Sequence, residues 1–359
     1  MLNELKYFRN KKVLITGHTG FKGSWLVYWL NLYGAKIVGV SNKVITTPSN
    51  FKANKIDKKC KSYFFDITDK KLKKIINKFQ PNFIFHLAAQ AIVSTSYENP
   101  KKTWNTNVFG TLNLLEILKE YKKKCTIVII TSDKCYLNLE KKSGYSENDQ
   151  LGGYDHYSAS KASMEIMHKA YFSSFFKKKK NIRIASARAG NVIGGGDWAK
   201  DRLIPDAVRK WSENKKIIIR NKNSTRPWQH VFEALYGYMT LAIQLEKNKK
   251  INGEAFNFGP SEKNVSTVED ILKIIKSFWD KARWINQKKK SYEETNILNL
   301  KTTKAKNILN WSCKLSFEKN IFLITNWYKN FYENKKKIEN ISLDQILFYE
   351  KILKKKVKN

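Results

Sequence analysis

Residues 12–34 read KVLITGHTGFKGSWLVYWLNLYG, and they predict a buried strand, a glycine-rich turn and a helix that ends at Gly34. The turn contains Gly17, Gly20 and Gly23 in a G-x-x-G-x-x-G pattern. Such glycines permit a tight turn, the close approach of a pyrophosphate and the packing of the helix on a sheet, while the helix N-terminus holds phosphate. A glycine trio alone is weak evidence, but its place between a first strand and a first helix makes it informative. The stretch predicts a dinucleotide site, and the alternative is an ordinary strand–helix turn.

Short apolar runs and amphipathic stretches alternate through the rest of the first half. Strand candidates are KIVGVS (36–41), SYFFDIT (62–68), NFIFHLAAQ (82–90), CTIVII (125–130) and the start of IRIASARAGNVIG (182–194). Helix candidates are KKLKKIINKF (70–79), TWNTNVFGTLNLLEILKEY (103–121) and SASKASMEIMHKAYFSSFF (158–176). This alternation predicts βαβ units and a parallel sheet covered by helices on both faces. The fold class is therefore α/β, a Rossmann-type doubly wound sheet with a smaller C-terminal lobe.

The alternation of strand and helix candidates ends near residue 190. The stretches GGGDW, RLIPD, STRPWQHV and FNFGPSEKN predict loops between short helices. We expect a dinucleotide-binding domain over 1–190, with later segments returning to it. The range 191–345 is expected to form mainly a substrate-binding lobe, and 346–359 a Lys-rich tail.

Composition excludes several classes of protein. A hydrophobic content of 42% and an aromatic content of 13% in 359 residues exclude disorder. The four cysteines are scattered without a C-x-x-C pair or a neighbouring histidine cluster, which argues for a reducing compartment and against zinc or a disulfide framework. We expect no metal site. No run approaches the roughly 18–20 apolar residues of a membrane span. We expect a cytoplasmic protein without a membrane partner.

The formal charge of +37 raises the question of nucleic acid. Only eight of the 68 basic residues are arginine, whereas nucleic-acid readers rely on arginine for bidentate contacts. The lysines lie on polar helix faces and near the terminus, not in one patch interleaved with aromatics. We interpret the charge as a solvated surface and expect no nucleic-acid partner, although a positive field could help to capture an anionic substrate.

Tyr157 and Lys161 form a Y-x-x-x-K pair with helical i, i+4 spacing, so both side chains share one face. A tyrosine with its ordinary pKa near 10 is a poor base at neutral pH. A cation one turn away, together with an oxidised nicotinamide, is expected to favour the phenolate. After the fifth strand of a dinucleotide fold, the pair indicates a redox site rather than a chance arrangement.

A second group of chemically active residues ends the strand CTIVII, where residues 131–136 read TSDKCY. Ser132, Asp133 and Lys134 place a hydroxyl, a carboxyl and an amine side by side at the exit of a buried strand. The alternative for Asp133 and Lys134 is a surface ion pair beside a turn.

The glycine loop, HLAAQ, TNVFGT and YSASK resemble the extended short-chain dehydrogenase/reductase family of nucleotide-sugar enzymes, over most of the chain. The resemblance implies NAD as cofactor. Its candidate binding residues are Gly17, Thr19, Gly20, Phe21, Lys22, Gly23, Asp66, Ile67, Leu87, Ala88, Ala89, Gln90, Asn107, Tyr157 and Lys161. The residues Ser41-Asn42-Lys43, at the end of the second strand, leave NAD and NADP both open, since they are neither clearly acidic nor a basic pair. Asp66 would meet the adenine edge, or alternatively cap a helix with Asp69.

The same resemblance assigns chemistry to residues 132–134. Family 4-epimerases have small residues after the Ser or Thr that bonds the sugar 4-hydroxyl, whereas 4,6-dehydratases have an acid and a proton-transfer partner. Once C4 is a ketone, the C5 proton is acidic and the C6 hydroxyl can leave. Asp133, if burial keeps it protonated, is the candidate acid for C6. Lys134, if desolvation and nearby positive charge keep it neutral, is the candidate base for C5.

The stretches GHTGFKGSWL, RAGNVIGGGDWAKDRLIPD and RPWQHV resemble the family's branch that acts on cytidine diphosphate sugars to make activated deoxysugars for lipopolysaccharide. Candidate substrate-binding residues are Ser132, Asn191, Arg202, Leu203, Arg226 and Asn257. Arg226 suits a pyrophosphate because its planar fork binds oxyanions bidentately, or else it simply caps a loop. Trp198 and Trp228 could line the base pocket or fill the core.

Two other functions stay open from the residues. One is a 4-epimerase or another 4,6-dehydratase of the same fold. The other is a non-catalytic dinucleotide sensor, which has no need for Ser132, Asp133, Tyr157 and Lys161 together. The family resemblance also implies a homodimer, or a dimer of dimers, that pairs the helices of 103–121 and 158–176 into a four-helix bundle.

Overall fold

A computed structural model describes residues 1–219, 221–260, 266–287, 298–334 and 337–355. Within these ranges the largest sheet has seven strands, all parallel, in the order β3-β2-β1-β4-β5-β6-β11. Its strands are β1 Lys12–Thr16, β2 Lys36–Ser41, β3 Lys61–Phe64, β4 Phe83–His86, β5 Cys125–Ile130, β6 Ile182–Ala189 and β11 Ala255–Phe258. The predicted doubly wound α/β sheet is confirmed.

Smaller strands form two-stranded pairs beside this sheet. They are β7 Val192–Ile193 with β10 Gln229–His230, β8 Ile217–Ile219 with β13 Trp284–Asn286, and β9 Thr225–Arg226 with β12 Ser266–Thr267. The α-helices are α1 Phe21–Leu32, α2 Asn50–Ala53, α3 Lys71–Phe79, α4 Val93–Glu98, α5 Pro100–Trp104, α6 Gly110–Glu120, α7 His156–Tyr171, α8 Leu203–Ser212, α9 Val231–Lys247, α10 Val268–Phe278, α11 Thr303–Leu309, α12 Phe317–Lys329 and α13 Ile338–Lys355. Asn105–Phe109 and Phe172–Phe176 are π-helical segments that continue α5 into α6 and extend α7.

The strand order places a topological switch between β1 and β4. The chain builds the sheet outward from β1 through β2 to β3, then crosses to β4 and continues the other way. In open parallel sheets, ligands bind in the crevice at the carboxyl ends of the strands where this reversal occurs. The glycine loop follows β1 directly, so it lies at that crevice.

Alternate strand residues belong to two hydrophobic layers, as the period of a strand requires. Val13 and Ile15 pack with the side chains of α1, α9, α12 and α13, whereas Leu14 packs with those of α3, α6 and α7. In β5 every residue is buried, which explains why CTIVII is apolar throughout. The predicted bounds of β5 are confirmed.

The second half differs from its prediction. Short helices were expected there, but α9 has 17 residues and α13 has 18. The strand β11 returns to the sheet beside β6. Residues 346–355, predicted as part of a tail, form the second half of α13, where Ile346 and Tyr349 are fully buried in the main core.

In the ranges described above, no helix combines the length and the apolar composition that a membrane span requires.

Candidate active site

The glycine loop brings the backbone of β1, α1 and β4 into close contact. Gly17 has φ +75°, and a Cβ atom there would lie 2.8 Å from the Ala88 nitrogen. A Cβ atom on Gly23 would lie 2.1 Å from the Gly17 carbonyl oxygen. No other residue fits either position without moving the backbone, so the glycine pattern reflects real steric need.

The first turn of α1 is suited to hold phosphate. The residue before the helix, Gly20, is extended and has no side chain that could cap the helix amides. Uncapped amides at a helix N-terminus bind anions. Thr19 is fixed beside this turn, because its amide donates to the Ser41 hydroxyl at 3.2 Å and its own hydroxyl donates to the Lys43 carbonyl at 2.7 Å. The loop therefore fits a dinucleotide pyrophosphate.

Two buried histidines support this crevice. His18 contacts the hydroxyls of Ser41 and Ser62 at 2.9 Å each, which ties the glycine loop to β2 and β3. His86 contacts Thr16 at 2.8 Å and Thr111 at 3.0 Å, which ties β4 to β1 and α6. Burial lowers the pKa of His18 to about 4 and that of His86 to about 3. Both imidazoles are therefore neutral at physiological pH.

Asp66 lies at the outer end of the crevice, after β3. Its carboxylate accepts from the Thr68 amide at 3.0 Å and from the Thr68 hydroxyl at 2.8 Å. Asn42, at the end of β2, donates to its other oxygen at 3.1 Å. Asp66 therefore closes a local turn, while it also places a carboxylate beside Asn42. Ile67 packs against Gly110, where an added Cβ atom would lie 2.3 Å from an Ile67 methyl group.

The segment after β4, Leu87, Ala88, Ala89 and Gln90, borders the same crevice. Asn107 accepts from the Gln90 amide at 2.8 Å and donates to the Ser160 hydroxyl at 2.8 Å. The Gln90 side chain donates to Thr103 at 2.9 Å. The side chains of Asn107 and Gln90 thus join this segment to α5 and α7, and their predicted cofactor contacts stay predictions.

Ser132 and Asp133 are buried together at the end of β5. The Ser132 hydroxyl donates to Asp133 Oδ1 at 2.7 Å, and the Lys134 amide donates to the same oxygen at 2.9 Å. Asn191 donates to Asp133 Oδ2 at 3.4 Å. Asp133 is 4% exposed, whereas Lys134 is half-buried. A surface ion pair is excluded for Asp133, because its carboxyl points inward.

Tyr157 completes this group from α7. Tyr157 is 8% exposed, and Ser132, Asp133 and Arg202 all influence its pKa. Burial raises the pKa of Tyr157 to about 12; the Ser132 hydrogen bond and the charge of Arg202 lower this pKa, and the charge of Asp133 raises it. The protein alone therefore holds the phenol protonated at neutral pH. The expected phenolate depends on the positive charge of a bound, oxidised nicotinamide.

Two lysines face the same space. Burial, and then the charge of Lys22, lowers the pKa of Lys161 to about 7. Lys161 Nζ lies 3.4 Å from the Ile130 carbonyl oxygen at the end of β5. Lys22 Nζ lies 3.4 Å from the hydroxyl of Tyr238 on α9, and its pKa is lowered to about 8, by burial, by Arg202 and against the charges of Asp133 and Asp197.

The direction of Lys22 was not predicted. The sequence placed it among the cofactor residues because it lies within the glycine loop, but its ammonium approaches the catalytic side of the site. Tyr238, its partner, belongs to no motif and lies 216 positions away. The sequence signal for this contact is the residue type at position 22, because the glycine loop itself needs no cation there.

Arg202 and Leu203 lie at the start of α8. Arg202 donates to Asp197 at 2.8 Å, and this carboxylate raises the pKa of the guanidinium. The Arg202 side chain is still 36% exposed, so it can reach a ligand. Arg226 donates to the carbonyl oxygen of its neighbour Thr225 at 2.8 Å and is partly buried in β9. Their substrate roles stay predictions.

The Asn257 side chain makes hydrogen bonds within the protein. The side chain is fully buried in β11, where its oxygen accepts from Tyr136 at 2.8 Å. Its amide donates to the carbonyl oxygens of Tyr145 at 2.9 Å and Lys301 at 3.1 Å. These contacts join β11 to other chain segments, and the predicted substrate contact of Asn257 stays a prediction.

A buried ion pair lies behind residues 131–136 and was also missed. Glu165 accepts from Arg188 at 2.8 Å and from Thr131 at 2.5 Å, and Arg188 donates to Tyr136 at 2.7 Å. The pKa of Glu165 is about 2: the charge and hydrogen bond of Arg188 lower it against the opposing effect of burial. The pair holds both ends of the stretch TSDKCY. Glu165 lies one turn after Lys161, a helical spacing that could have indicated it.

The two tryptophans named above, Trp198 and Trp228, differ in their surroundings. Trp198 is 3% exposed, donates to the Tyr332 hydroxyl at 2.9 Å and packs against Phe331, which favours the core. Trp228 is half-buried beside a small cavity that Gln229, His230 and Asn320 also line.

A family model for GDP-mannose 4,6-dehydratase matches residues 14–322. The chain belongs to this family. It is a family of enzymes, and the match includes the glycine loop, the stretch TSDKCY and the Tyr157–Lys161 pair.

Curated relatives are similar over nearly their whole length. The chain is 43% identical to the CDP-glucose 4,6-dehydratase of Salmonella typhimurium, over 90% of this chain and 92% of the relative. It is 26% identical to the CDP-paratose 2-epimerase of Salmonella typhi, over 88% of this chain and 98% of the relative. Because both alignments cover most of the chain, the two identities can be compared directly, and the identity to the dehydratase is much higher.

Solved structures share the fold. The UDP-glucose 4-epimerase of Thermotoga maritima is 22% identical with a TM-score of 0.78, over 90% of this chain and all of that one. The dTDP-glucose 4,6-dehydratase of Bacillus anthracis, solved with NAD, is 23% identical with a TM-score of 0.73, over 89% of this chain and 97% of that one. At this identity the likeness shows a common architecture.

Proposed function

We propose that the protein is a CDP-glucose 4,6-dehydratase, which converts CDP-glucose to CDP-4-keto-6-deoxyglucose. The observation that carries the proposal is the buried carboxyl of Asp133, hydrogen-bonded to Ser132 beside the Tyr157 phenol. A 4-epimerase needs no such acid, because it only oxidises and reduces C4. The 43% identity to a relative of that name supports the same substrate.

Protons move between the sugar and three side chains in this reaction. Tyr157 takes the proton of the C4 hydroxyl when C4 is oxidised, and Ser132 positions that hydroxyl. Lys134 takes the C5 proton, which the C4 ketone makes acidic. Asp133 gives a proton to the C6 hydroxyl, which leaves as water. Lys134 then returns its proton to C5.

NAD fits as the cofactor. The uncapped N-terminus of α1 and the glycine loop would hold its pyrophosphate, and Lys161 its ribose. Asp66 beside Asn42 adds a negative charge that favours ribose hydroxyls over a 2′-phosphate. Bound nicotinamide supplies the hydride acceptor for C4 and the hydride donor for C6, so no net oxidant is consumed.

The substrate is proposed to lie between the sheet and the range 191–345. Asn191 and Arg202 approach Asp133 and Tyr157 from that range. Arg226 is assigned to the diphosphate. The product is an activated deoxysugar, a type of building block used for bacterial lipopolysaccharide. The enzyme is proposed to act in the cytoplasm.

An assay with alternative substrates tests this function. The purified protein is incubated with the CDP, dTDP, UDP or GDP derivative of glucose or mannose and with NAD⁺ or NADP⁺. We expect a 4-keto-6-deoxy product from CDP-glucose with NAD⁺ and no net formation of NADH. A C4 epimer as the sole product, or NADH formed in proportion to product, would contradict the proposal.

We also propose a homodimer through α6 and α7. Phe109, Ile166 and Phe175 are 54%, 57% and 42% exposed on these helices and their π-helical extensions, and exposed apolar groups of this kind mark interfaces. Ile166→Glu should shift the dimer to a monomer in light scattering at micromolar concentration. Ile218→Glu, at a 49% exposed position on β8, is the matched control and should leave the dimer intact. A monomeric wild-type protein would contradict this assembly.

A further inference from the structure

The small cavity beside β10 is lined by residues whose buried polar atoms have no hydrogen-bond partner among the described residues. These atoms are the Trp228 indole nitrogen, Gln229 Oε1, His230 Nε2 and Asn320 Oδ1. Gln229, His230 and Asn320 are only 2%, 1% and 3% exposed. Because an unpaired donor or acceptor is costly to bury, four such atoms around one cavity indicate a polar occupant.

The contacts of these residues decide which atoms donate and which accept. The side-chain nitrogen of Gln229 already donates to two backbone carbonyl oxygens, so its oxygen is the end left for the cavity. His230 Nδ1 accepts from the Phe232 amide at 3.3 Å, and burial lowers the pKa of His230 to about 3. The neutral ring therefore carries its proton on Nε2. The cavity is offered N–H donors by Trp228 and His230, and oxygen acceptors by Gln229 and Asn320.

The other polar side chains around the cavity have partners of their own. Glu233 Oε1 accepts from the amides of Lys314 and Leu315 at 2.7 Å each, and Oε2 accepts from Tyr349 at 2.6 Å. The Cys313 thiol donates to a backbone carbonyl oxygen at 3.2 Å. The space open to the centre of a water molecule measures about 10 Å³, which corresponds to a single water. Water donates two hydrogen bonds and accepts two, which matches the four remaining atoms.

Gln229 connects this cavity to Asp133. Its side-chain amide donates to the carbonyl oxygens of Gly190 at 3.1 Å and Phe258 at 2.7 Å, and its backbone amide donates to that of Asn191 at 3.2 Å. Asn191 donates to Asp133 Oδ2 at 3.4 Å, and a Cβ atom on Gly190 would lie 1.7 Å from the same oxygen. A change in the orientation of Gln229 therefore moves the backbone that borders the Asp133 carboxyl.

We propose that this cavity binds one ordered water molecule, and that the water fixes the Gln229 amide in the orientation that positions Asp133. The water accepts from Trp228 and His230. It donates to Gln229 and Asn320. Gln229 then holds the backbone that packs on the carboxyl. Gln229 is thus a positioning residue for dehydration, and this second part of the inference rests on the proposed function.

A crystal structure of the full-length protein tests the water site without any substrate. We expect electron density for one water at hydrogen-bond distance, about 3 Å, from all four atoms. In Asn320→Leu the water should be lost, because leucine fills the space with a group that forms no hydrogen bond. Direct hydrogen bonds among the four side chains, with no water between them, would overturn the site.

Single-turnover kinetics with CDP-glucose and NAD⁺ tests the positioning role. Gln229→Leu roughly keeps the volume of the side chain and removes its hydrogen bonds. We expect C4 oxidation to keep its rate while dehydration slows by about 10²-fold, the scale of a misplaced catalytic group. Reduced cofactor, measured by absorbance, should therefore accumulate on the enzyme with a 4-keto sugar that retains its 6-hydroxyl. Asn320→Leu should show a smaller accumulation, and it carries the test if Gln229→Leu does not fold.

Gln345 on α13 provides the matched control. It is 4% exposed, its side chain donates to the Leu323 carbonyl oxygen at 2.8 Å, and its amide oxygen has no partner among the described residues. Gln345→Leu removes the same groups far from Asp133, so it should lower stability without accumulation of reduced cofactor. No accumulation beyond this control in the folded variants of Gln229 and Asn320 would overturn the positioning role. A wild-type protein that forms no 4-keto-6-deoxy sugar would instead overturn the proposed function.

Discussion

At the scale of single residues, Asp133 separates the two halves of the proposed chemistry. In the proposed mechanism, oxidation at C4 uses Ser132, Tyr157 and Lys161, whereas loss of the C6 hydroxyl uses Asp133. Ser132 and Asp133 are hydrogen-bonded, but they belong to different steps. Substitutions of Asp133 and of Tyr157 should therefore stop the reaction at different points.

Asp133→Asn keeps the shape of the side chain and removes its acid. We expect C4 oxidation to survive, while the dehydration step slows by about 10²–10⁴, or roughly 3–5 kcal/mol of barrier. The variant should trap reduced cofactor on the enzyme, measured by absorbance, with a 4-keto sugar that retains its 6-hydroxyl. Tyr157→Phe is the control and should form no reduced cofactor. Near-normal turnover by Asp133→Asn, or no cofactor reduction in it, would exclude Asp133 as the acid.

At the scale of secondary structure elements, the end of β6 holds the end of β5 in place. β6 ends at Ala189, and the next residue packs its backbone on the Asp133 carboxyl. Glu165 on α7 and Arg188 on β6 hold the other side of the same segment. The proposed catalytic residues that follow β5 are thus positioned by the neighbouring strand β6 and by α7.

Gly190→Ala tests this contact. A Cβ atom at 1.7 Å from Asp133 Oδ2 must displace the carboxyl, because the Asp133 side chain moves more easily than the backbone at residue 190. We expect the fold to persist, as measured by circular dichroism, and dehydration to fail as in Asp133→Asn. Gly259→Ala is the matched control, because its Cβ atom would meet Leu300 at an ordinary 3.5 Å. Full dehydratase activity in Gly190→Ala would show that the carboxyl can be moved without consequence.

Strand ends show where prediction from sequence fails. The apolar run of 82–90 predicts a longer strand than β4, which ends at His86. The amides of Ala88 and Gln90 donate to the side chains of Thr16 and Asn107, not to a neighbouring strand. Because those acceptors come from distant elements, no local pattern could have marked the end of the strand.

At the scale of the whole molecule, α13 connects the C-terminal region to the first helix of the dinucleotide fold. Glu350 accepts from Trp29 at 2.9 Å and from Tyr33 at 2.7 Å, and all three side chains are buried. Tyr349 packs on Trp29 with ring centroids 5.8 Å apart. The Lys-rich composition of this region concealed an apolar face that completes the core.

Acid should destabilise the whole protein through its buried histidines. Burial lowers the pKa of His18 to about 4 and those of His86 and His230 to about 3, from 6.5. Between pH 6.5 and these values the unfolded chain binds protons that the folded chain does not, so stability falls as pH falls. At pH 5 the loss is about 2 kcal/mol for each histidine, since one pKa unit is about 1.4 kcal/mol.

Denaturant unfolding at about pH 7.5 and pH 5 measures this loss. His86→Asn should reduce the difference between the two free energies of unfolding by about 2 kcal/mol. The exposed His156 provides the matched substitution, His156→Asn, which should leave the difference unchanged. An equal pH dependence in wild type and His86→Asn would contradict the prediction.

The sequence by itself determined the fold class and the kinds of chemical group that the site contains. Strand and helix periods are local properties, and the G-x-x-G-x-x-G, Y-x-x-x-K and Ser132-Asp133-Lys134 patterns place their groups at known points of a parallel sheet. Backbone geometry needs glycine at Gly17 and Gly23, so the residue types alone were enough to interpret those positions.

Only the tertiary structure decided which atoms meet. It turned Lys22 towards Tyr238, brought Asn191 to Asp133, and enclosed Asn257 among backbone carbonyls. The position of Tyr157 near Ser132 and Asp133 likewise depends on how α7 packs against the end of β5. Such contacts join side chains that are far apart in the chain, and their geometry follows from the packing of whole elements, which no local pattern of residues encodes.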